Sequence, residues 1–532
     1  MPEQLLFSPG LFANSGFSES TVGRLAAAAS LSEGSYGEMV GHTVRRIAIS
    51  SVGNSIAPDD LTLANLARIP IGDPFFETAV VQIWTRGPVL SGEPLPNFDN
   101  AKLRFRVAWV LRKRGDSTHL AMLLQDPDAD VRRYAVQWAA EDNRTDLAAQ
   151  VEAALNVEPV TVELFRSVTA AREQLAGKKA DEVEAQLGGS TDWLRAIVLD
   201  AAKPATVRAL ALRLLPDADS GLSVEQLLAF LDANEKSGLP REAILKLAST
   251  SSSAATDTMT ALISDAARPA SLRLEAIDLL ATLVGDETQR ASGATVLTRV
   301  LTNSKSDDPQ FAISAVRSLR KLTLPTDSRT QARVLGFKPS GDWSEAEREE
   351  LAQQKALFAS ELKGQSVKDA ASDVQVERPA DLLAWSQRLD NIPGDAERGR
   401  RAFFHVAGSG CYKCHRVEGR GGNVGPDLSG IGSSRNREQL VNSILYPSRE
   451  IAPQFATWNF ELHSGKTVSG MIVRENEGNL VVGDADGTHI ELKTEEVANR
   501  RSGAASIMPE NLFDRLTPQE FADILTYLQS LR

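Results

Sequence analysis

Cys411 and Cys414 are the only two cysteines in this 532-residue chain, and His415 follows the second of them directly. On one helical turn, thiols three positions apart face the same side. Both sulfurs are then placed to form thioethers with the two vinyl groups of one porphyrin, and the next residue turns its imidazole toward the iron. Cys411-Tyr412-Lys413-Cys414-His415 thus carries the C-x-x-C-H spacing of covalent haem attachment. A thioredoxin-like redox pair would need a βαβ setting, and no such pattern surrounds these residues. A structural zinc site would need four ligands, and no second Cys or Cys/His pair stands at suitable spacing.

The remaining ligand types are sparse. Besides His415 there are five histidines: His42, His119, His405, His463 and His489. His463 and His489 fall in an alternating stretch and read as surface strand residues. No cofactor-binding glycine motif after a strand, metal cluster or catalytic triad spacing is present, and a second C-x-x-C-H is absent. The chemistry indicated is single-electron transfer, and the chain is not expected to be an enzyme.

Three elements must position the attachment site. Gly394–Phe404 reads as a helix running toward it, Gly421–Leu428 as a glycine-rich loop with one proline, and Thr517–Leu528 as a final helix with Pro518 in its first turn. Between them, Phe455–Val497 alternates apolar and polar residues, with turns at Ser464-Gly465, Glu477-Gly478 and Ala485-Asp486-Gly487. That pattern predicts an antiparallel meander of about four strands inserted at residues 455–497.

Upstream the chain repeats a phrase. DPFFETAVVQIW (73–84), LRFRVAWVLRK (103–113), DADVRRYAVQWAAE (128–141), PATVRALALRLL (204–215), LPREAILKLAS (239–249), PASLRLEAIDLLATL (269–283) and PQFAISAVRSLRKL (309–322) share one form. Most open on Asp or Pro and then carry a helical apolar stripe. Apolar helices precede several of them, at 119–126, 259–267 and 296–303. Helix, short turn and second helix at roughly 30–40 residues is the pattern of an α-solenoid. Residues 344–362 read as a polar helix, 364–380 as a linker, and a short helix follows at 381–389. The domains expected are an irregular N-terminal helical segment (1–60), helical repeats (61–325), a helical linker (326–392) and the haem domain (393–532).

Two resemblances sharpen this. The phrase D-x-D-V-R-x-x-A-V at Asp128–Val136 resembles HEAT repeats, which implies that Asp128 caps the second helix and Arg132 bridges neighbouring repeats. The C-terminal pieces resemble a class I cytochrome c. That resemblance implies a close crossing of the first and last helices at Gly399, packed through Phe403 and Tyr527. It also implies a Pro426 carbonyl holding the His415 N–H, and Met508 in Ser506-Ile507-Met508-Pro509-Glu510 as the sixth ligand. Met471, more naturally strand packing, and His405, which would give a bis-histidine site, are the other candidates. The order of attachment motif, GxxGPDLSGIG, ILYPSREIAPQF, β insert and Met-Pro loop resembles the large haem-binding C-terminal domain of planctomycete and verrucomicrobial proteins. In that group HEAT-like helices often precede the domain, and a sugar-dehydrogenase-like propeller often precedes both.

The fold class expected is therefore mainly α: a HEAT-like α-solenoid followed by a class I-like cytochrome c domain carrying a small antiparallel β insertion. The function expected is electron transfer through one covalent haem c per chain, bound by Cys411, Cys414, His415, Pro426 and Met508, with His415 and Met508 on the iron. The alternative is the haem-bearing part of a larger sugar- or alcohol-type dehydrogenase. A redox partner protein, such as a dehydrogenase, is expected. The composition, 42% hydrophobic and 24% charged with net charge −12, is that of an ordinary globular chain and argues against nucleic-acid binding. No apolar run approaches a membrane span. Haem attachment implies a periplasmic or otherwise exported chain. The opening MPEQLLFSPGLFANSG does not read as a signal peptide, so an export signal is expected further upstream.

Overall fold

The structure, a computed structural model, describes residues 101–178, 190–216, 220–250, 253–283, 287–303, 308–324, 326–339, 342–364 and 366–531. The expected segment 1–60 and the first repeat phrase, 73–84, lie outside the described residues. Among the described residues the chain is mainly helical, with a five-stranded antiparallel sheet and a short two-stranded hairpin near its C-terminus, and it divides into two compact units, 1–190 and 191–532.

In the first unit, helices span Ala101–Lys113, Ala129–Glu141 and Val162–Leu175. Asp128 begins the second of these by accepting from the backbone N–H groups of Asp130 and Val131, two donors a helix start leaves without partners. Arg132 is fully buried, and its guanidinium donates to the carbonyls of Asp126, Val157 and Pro159. The D-x-D-V-R phrase thus caps one helix and ties it to the loop leading into the next.

The second unit opens with five helix pairs. Their second members are α1 (Ala205–Leu214), α2 (Leu239–Ser249), α3 (Ala270–Leu280), α4 (Pro309–Leu322) and α5 (Glu345–Lys363). Each packs on the helix before it, and α1 to α5 also pack on one another in chain order. Arginine fastens two of the pairs: Arg208 Nε donates to the Val198 carbonyl at 2.9 Å and Arg273 Nε to that of Ile263 at 3.1 Å. Asp308 caps α4 ahead of Pro309, and Ser344 with Glu347 forms a capping box on α5. The stretch read as a linker, 364–380, instead contains a helix at Val367–Asp373, capped by Ser366 and packed on α5.

α4 departs from the half-buried helix its stripe predicts. Ser314, Arg317, Ser318 and Arg320 are buried as fully as Phe311 and Leu319. The face they occupy is covered by the C-terminal segment rather than by water.

That segment contains α6 (Leu382–Asp390), α7 (Ala396–Phe404), α8 (Cys411–Cys414) and α9 (Pro518–Ser530). α7 crosses α9 at Gly399, where an added Cβ would run into the Asp523 backbone, so only glycine allows this approach. Phe403 meets Tyr527 edge-on with ring centroids 5.9 Å apart, and Trp385 of α6 packs against Phe513 and Phe521. Arg398 closes the crossing with two hydrogen bonds to Asp523, of 2.8 and 3.0 Å.

A two-residue hairpin, β1 (Arg416–Val417) and β2 (Arg420–Gly421), follows the attachment motif. The inserted sheet has five strands rather than the expected four: β3 (Thr457–Leu462), β4 (Thr467–Asn476), β5 (Asn479–Gly483), β6 (His489–Lys493) and β7 (Val497–Ser502). Their order is β6-β5-β4-β3-β7, so the last strand returns to the far edge instead of continuing the meander. β7 is mostly exposed and reads VANRRS, so it carries no apolar alternation for a sequence reading to find. Phe460, Val468, Leu480, Val482 and Leu492 form the sheet's own core. Val481 and Gly483, on the other face of β5, are buried as well, because that face meets the attachment segment.

Candidate functional site

α8 is a single turn entered through Gly410 in the left-handed conformation, φ 77°. It presents Cys411 and Cys414 together, both half-buried and both free thiols. Burial pushes both thiols above their ordinary pKa, and the Cys411 Sγ lies 3.0 Å from Ser409 Oγ. Among the described residues, no three His, Cys, Asp or Glu side chains stand together as a metal site.

His415 leaves the turn in extended conformation, with its N–H bonded at 2.9 Å to the Cys411 carbonyl. Its Nδ1 lies 2.9 Å from the Pro426 carbonyl oxygen. A carbonyl only accepts, so Nδ1 carries the proton and Nε2 keeps its lone pair for a metal. Burial holds the ring below the usual histidine pKa, which keeps it in the neutral, ligating form. Gly425 lies against the ring: an added Cβ would stand 2.7 Å from Cε1 and 2.8 Å from Nδ1. Three backbone bonds of 2.8 Å stitch this loop to the attachment turn, from Gly422 N to Tyr412 O, Gly425 N to Cys414 O and Leu428 N to Arg416 O. The structure therefore brings Cys411, Cys414, His415 and Pro426 together.

Met508 belongs to a separate stretch of chain. It is half-buried in the loop between β7 and α9, and its N–H donates to Ser506 Oγ at 3.1 Å. Ser448 anchors the loop, accepting from Ser506 N–H at 3.2 Å and donating to Glu510 at 3.0 Å. Met471 is buried in β4 opposite Gly483.

His42 lies outside the described residues, and His405, His463 and His489 stand apart from the attachment turn. His405 follows the last residue of α7 and is 2% exposed. Its Nε2 lies 3.0 Å from Ser318 Oγ on α4 and its Nδ1 accepts from the Ala407 N–H at 3.0 Å. With both nitrogens engaged, His405 fastens the C-terminal segment to the helices before it. His463, in the turn after β3, and His489, at the start of β6, are exposed.

Sequence reasoning missed the polar seam joining the C-terminal segment to α1–α5. Arg317 of α4 donates to Asp278 of α3 at 2.9 and 3.0 Å and to Glu520 of α9 at 3.1 Å. Arg401 of α7 approaches the same Asp278 at 3.2 Å. Arg400 pairs with Glu275, Arg420 with Glu242, Arg213 with both Glu242 and Glu418, and Arg241 with Glu397. Their signal was present as polar residues inside the apolar phrases of α3 and α4, which a stripe model assigns to solvent.

Two sulfurs on one turn and an imidazole held through Nδ1, with Nε2 as its remaining donor, are the groups a covalently held haem needs. No curated protein matches the chain. Residues 396–471 match the family model described as Cytochrome c, a stretch running from the start of α7 through Cys411, Cys414, His415 and Pro426 to Met471. The match supports a cytochrome c domain here, and with it haem c as cofactor and electron transfer as the role.

Proposed function

We propose that this chain is an electron carrier holding one haem c per chain through Cys411 and Cys414, with His415 and Met508 as axial ligands. The observation that carries the reading is the His415 Nδ1 to Pro426 carbonyl bond, formed beside two free, half-buried sulfurs. The haem supplies a one-electron couple when bound. The chain's part is to orient and insulate it. Pro426 fixes the imidazole tautomer and strengthens Nε2 as a donor. Gly425 leaves the ring room, and fully buried Val424 keeps water from that side. A sulfur from Met508 would complete the coordination and raise the reduction potential. With His415 and Met508 both holding the iron, the haem would exchange electrons at its edge and would leave oxygen and peroxide unbound.

The helices expected over 61–325 are, in this reading, HEAT-like repeats, supported in the second unit by the serial packing of α1–α4 and in the first by the bridging of Arg132. The layer α1–α5 already holds the C-terminal segment, so a redox partner, a dehydrogenase being the natural kind, docks elsewhere. The likeness to planctomycete and verrucomicrobial haem-binding domains rests on the order of motifs, and export follows from the attachment chemistry. Among the described residues, no helix is long and apolar enough to cross a membrane.

The test is a pyridine haemochrome spectrum with the intact mass of exported protein. One c-type haem per chain is expected, and a mass equal to the polypeptide alone would refute the proposal. Met508→Ala should abolish the weak far-red band of ferric iron bound by methionine sulfur. A band that persists removes Met508 from the iron.

A further inference from the structure

The inserted sheet does not hang free of the attachment site. Its face carrying Val481 and Gly483 is buried, and a Cβ on Gly483 would stand 2.8 Å from Val424 Cγ1 and 3.0 Å from Val424 Cβ. One turn further on, a Cβ on Gly487 would stand 2.8 Å from the Lys413 carbonyl carbon and 3.0 Å from Lys413 Cβ. Lys413 is one of the two residues between the cysteines and Cys414 follows it, so the turn after β5 lies on the attachment helix itself.

The turn is stiff. Asp484 N–H donates to the Thr488 carbonyl at 2.9 Å and Gly487 N–H to the Asp484 carbonyl at 3.1 Å. The Asp484 carboxylate accepts from the N–H groups of Asp486 and Thr488, at 3.0 and 2.8 Å. Gly487 sits at φ 80°, where a side chain is strained.

We infer that the turn at residues 484–488 is a fixed cover over the Cys414 edge of the haem site, seated by Gly483 and Gly487 and limiting what reaches that edge. This rests on the haem reading above. A haem held by Cys414 would lie beside the segment on which this turn packs, so the turn would restrict approach from that side. A small reductant, or a partner's redox centre, is thereby directed to other parts of the rim. Excluding water there also disfavours the more highly charged ferric state.

Gly478 provides the control. It occupies the turn at the opposite end of β5 with φ 86°, equally strained for any side chain, yet has nothing within 4 Å of its Cβ position. Replacing either glycine by alanine imposes the same backbone cost, and only Gly487→Ala lifts a turn off the attachment helix. Gly483→Val pushes on Val424 from a residue of ordinary strand conformation and provides a second way to loosen the cover.

The experiment uses the exported, haem-loaded chain, with wild type, G487A, G478A and G483V each checked by haemochrome. The rate of haem reduction by ascorbate is measured in high salt, which screens the carboxylates of Asp484 and Asp486, together with the midpoint potential. G487A and G483V should reduce several-fold faster than wild type and at a lower potential, while G478A matches wild type. Equal rates and potentials in all four haem-loaded proteins, or equal changes in G487A and G478A, would overturn the cover. Absence of haem from the wild type would instead refute the haem reading itself.

Discussion

Replacing Arg317 by methionine should uncouple the C-terminal domain from the helices that hold it. The Arg317 guanidinium is 4% exposed and donates to carboxylates on two other helices, Asp278 on α3 and Glu520 on α9. Methionine fills much of the volume and leaves Asp278 facing Arg401, with His405 Nε2 at 3.8 Å, and Glu520 with its bonds to the start of its own helix, including the Thr517 N–H at 2.9 Å. Removing one partner of a buried ion pair costs about 3–5 kcal/mol, because the remaining charge stays desolvated. Two carboxylates are affected here, but each keeps one other contact, so about 3 kcal/mol is expected. The assay is denaturant unfolding of the haem-loaded protein, read by Soret absorbance for the C-terminal domain and far-ultraviolet circular dichroism for the helices. Wild type should lose both signals together over residues 191–532, and R317M should lose the Soret signal first. Combining R317M with Asp278→Asn and Glu520→Gln should recover part of the loss, since the orphaned charges go with their partner. A loss below about 1 kcal/mol with the two signals still coincident would refute the idea that this network fastens the domain.

Further outcomes follow from the same geometry. Burial beside Glu520 pushes the Glu350 carboxyl up to about 8, and it accepts from Thr517 at 2.8 Å. The folded chain therefore holds a proton there that the unfolded chain has released above about 4.3, so Glu350 costs stability increasingly between about pH 4.5 and pH 8. Glu350→Gln should thus stabilise by a few kcal/mol at pH 8 and little at pH 5, measured in urea; the same gain at both pH values would contradict this. His405 acts at the other end. Burial and the neighbouring arginines hold it well below its ordinary value, so the unfolded chain takes up a proton that the folded chain refuses, and stability should fall as pH drops below about 6.5. Acid unfolding of His405→Gln should show a correspondingly shallower slope. Gly425→Val should displace the His415 ring from Pro426 and raise the midpoint potential through a weaker donor, and an unchanged potential would mean the ring has room to spare. Gly399→Ala should cost about 1–3 kcal/mol or more by forcing α7 away from α9, read as a lower thermal midpoint.

The attachment turn was legible because its chemistry is local. Cys411, Cys414 and His415 need only one helical turn to come together, and the spacing alone states it. The helix boundaries were legible for a similar reason: Asp128, Asp308 and Ser344 each begin a helix by bonding its first free N–H groups. β7 escaped because a strand at a sheet edge can be polar throughout, and its partner β3 lies some forty residues away in the chain. The helix at Val367–Asp373 escaped because seven polar and small residues carry no stripe, and its packing against α5 is what sustains it.

The seam between α1–α5 and the haem-binding segment escaped for a deeper reason. A helical stripe predicts one covered face, and the repeat phrases supply such a stripe for contacts within the stack. α4 is covered on a second face too, and there the contact is made by Arg317, Ser318 and Arg320 rather than by leucines. Read singly, such residues look like solvent-facing polar positions. Their distribution is more telling: α1, α2, α3 and α4 each contribute an arginine or carboxylate that finds its opposite on β1–β2, α7 or α9. A plain docking platform would leave that face to water and to foreign partners. Here the stack spends it on its own C-terminal domain, with charges whose desolvation is repaid only when every partner is in place. The consequence is that the helices hold the C-terminal domain in one orientation.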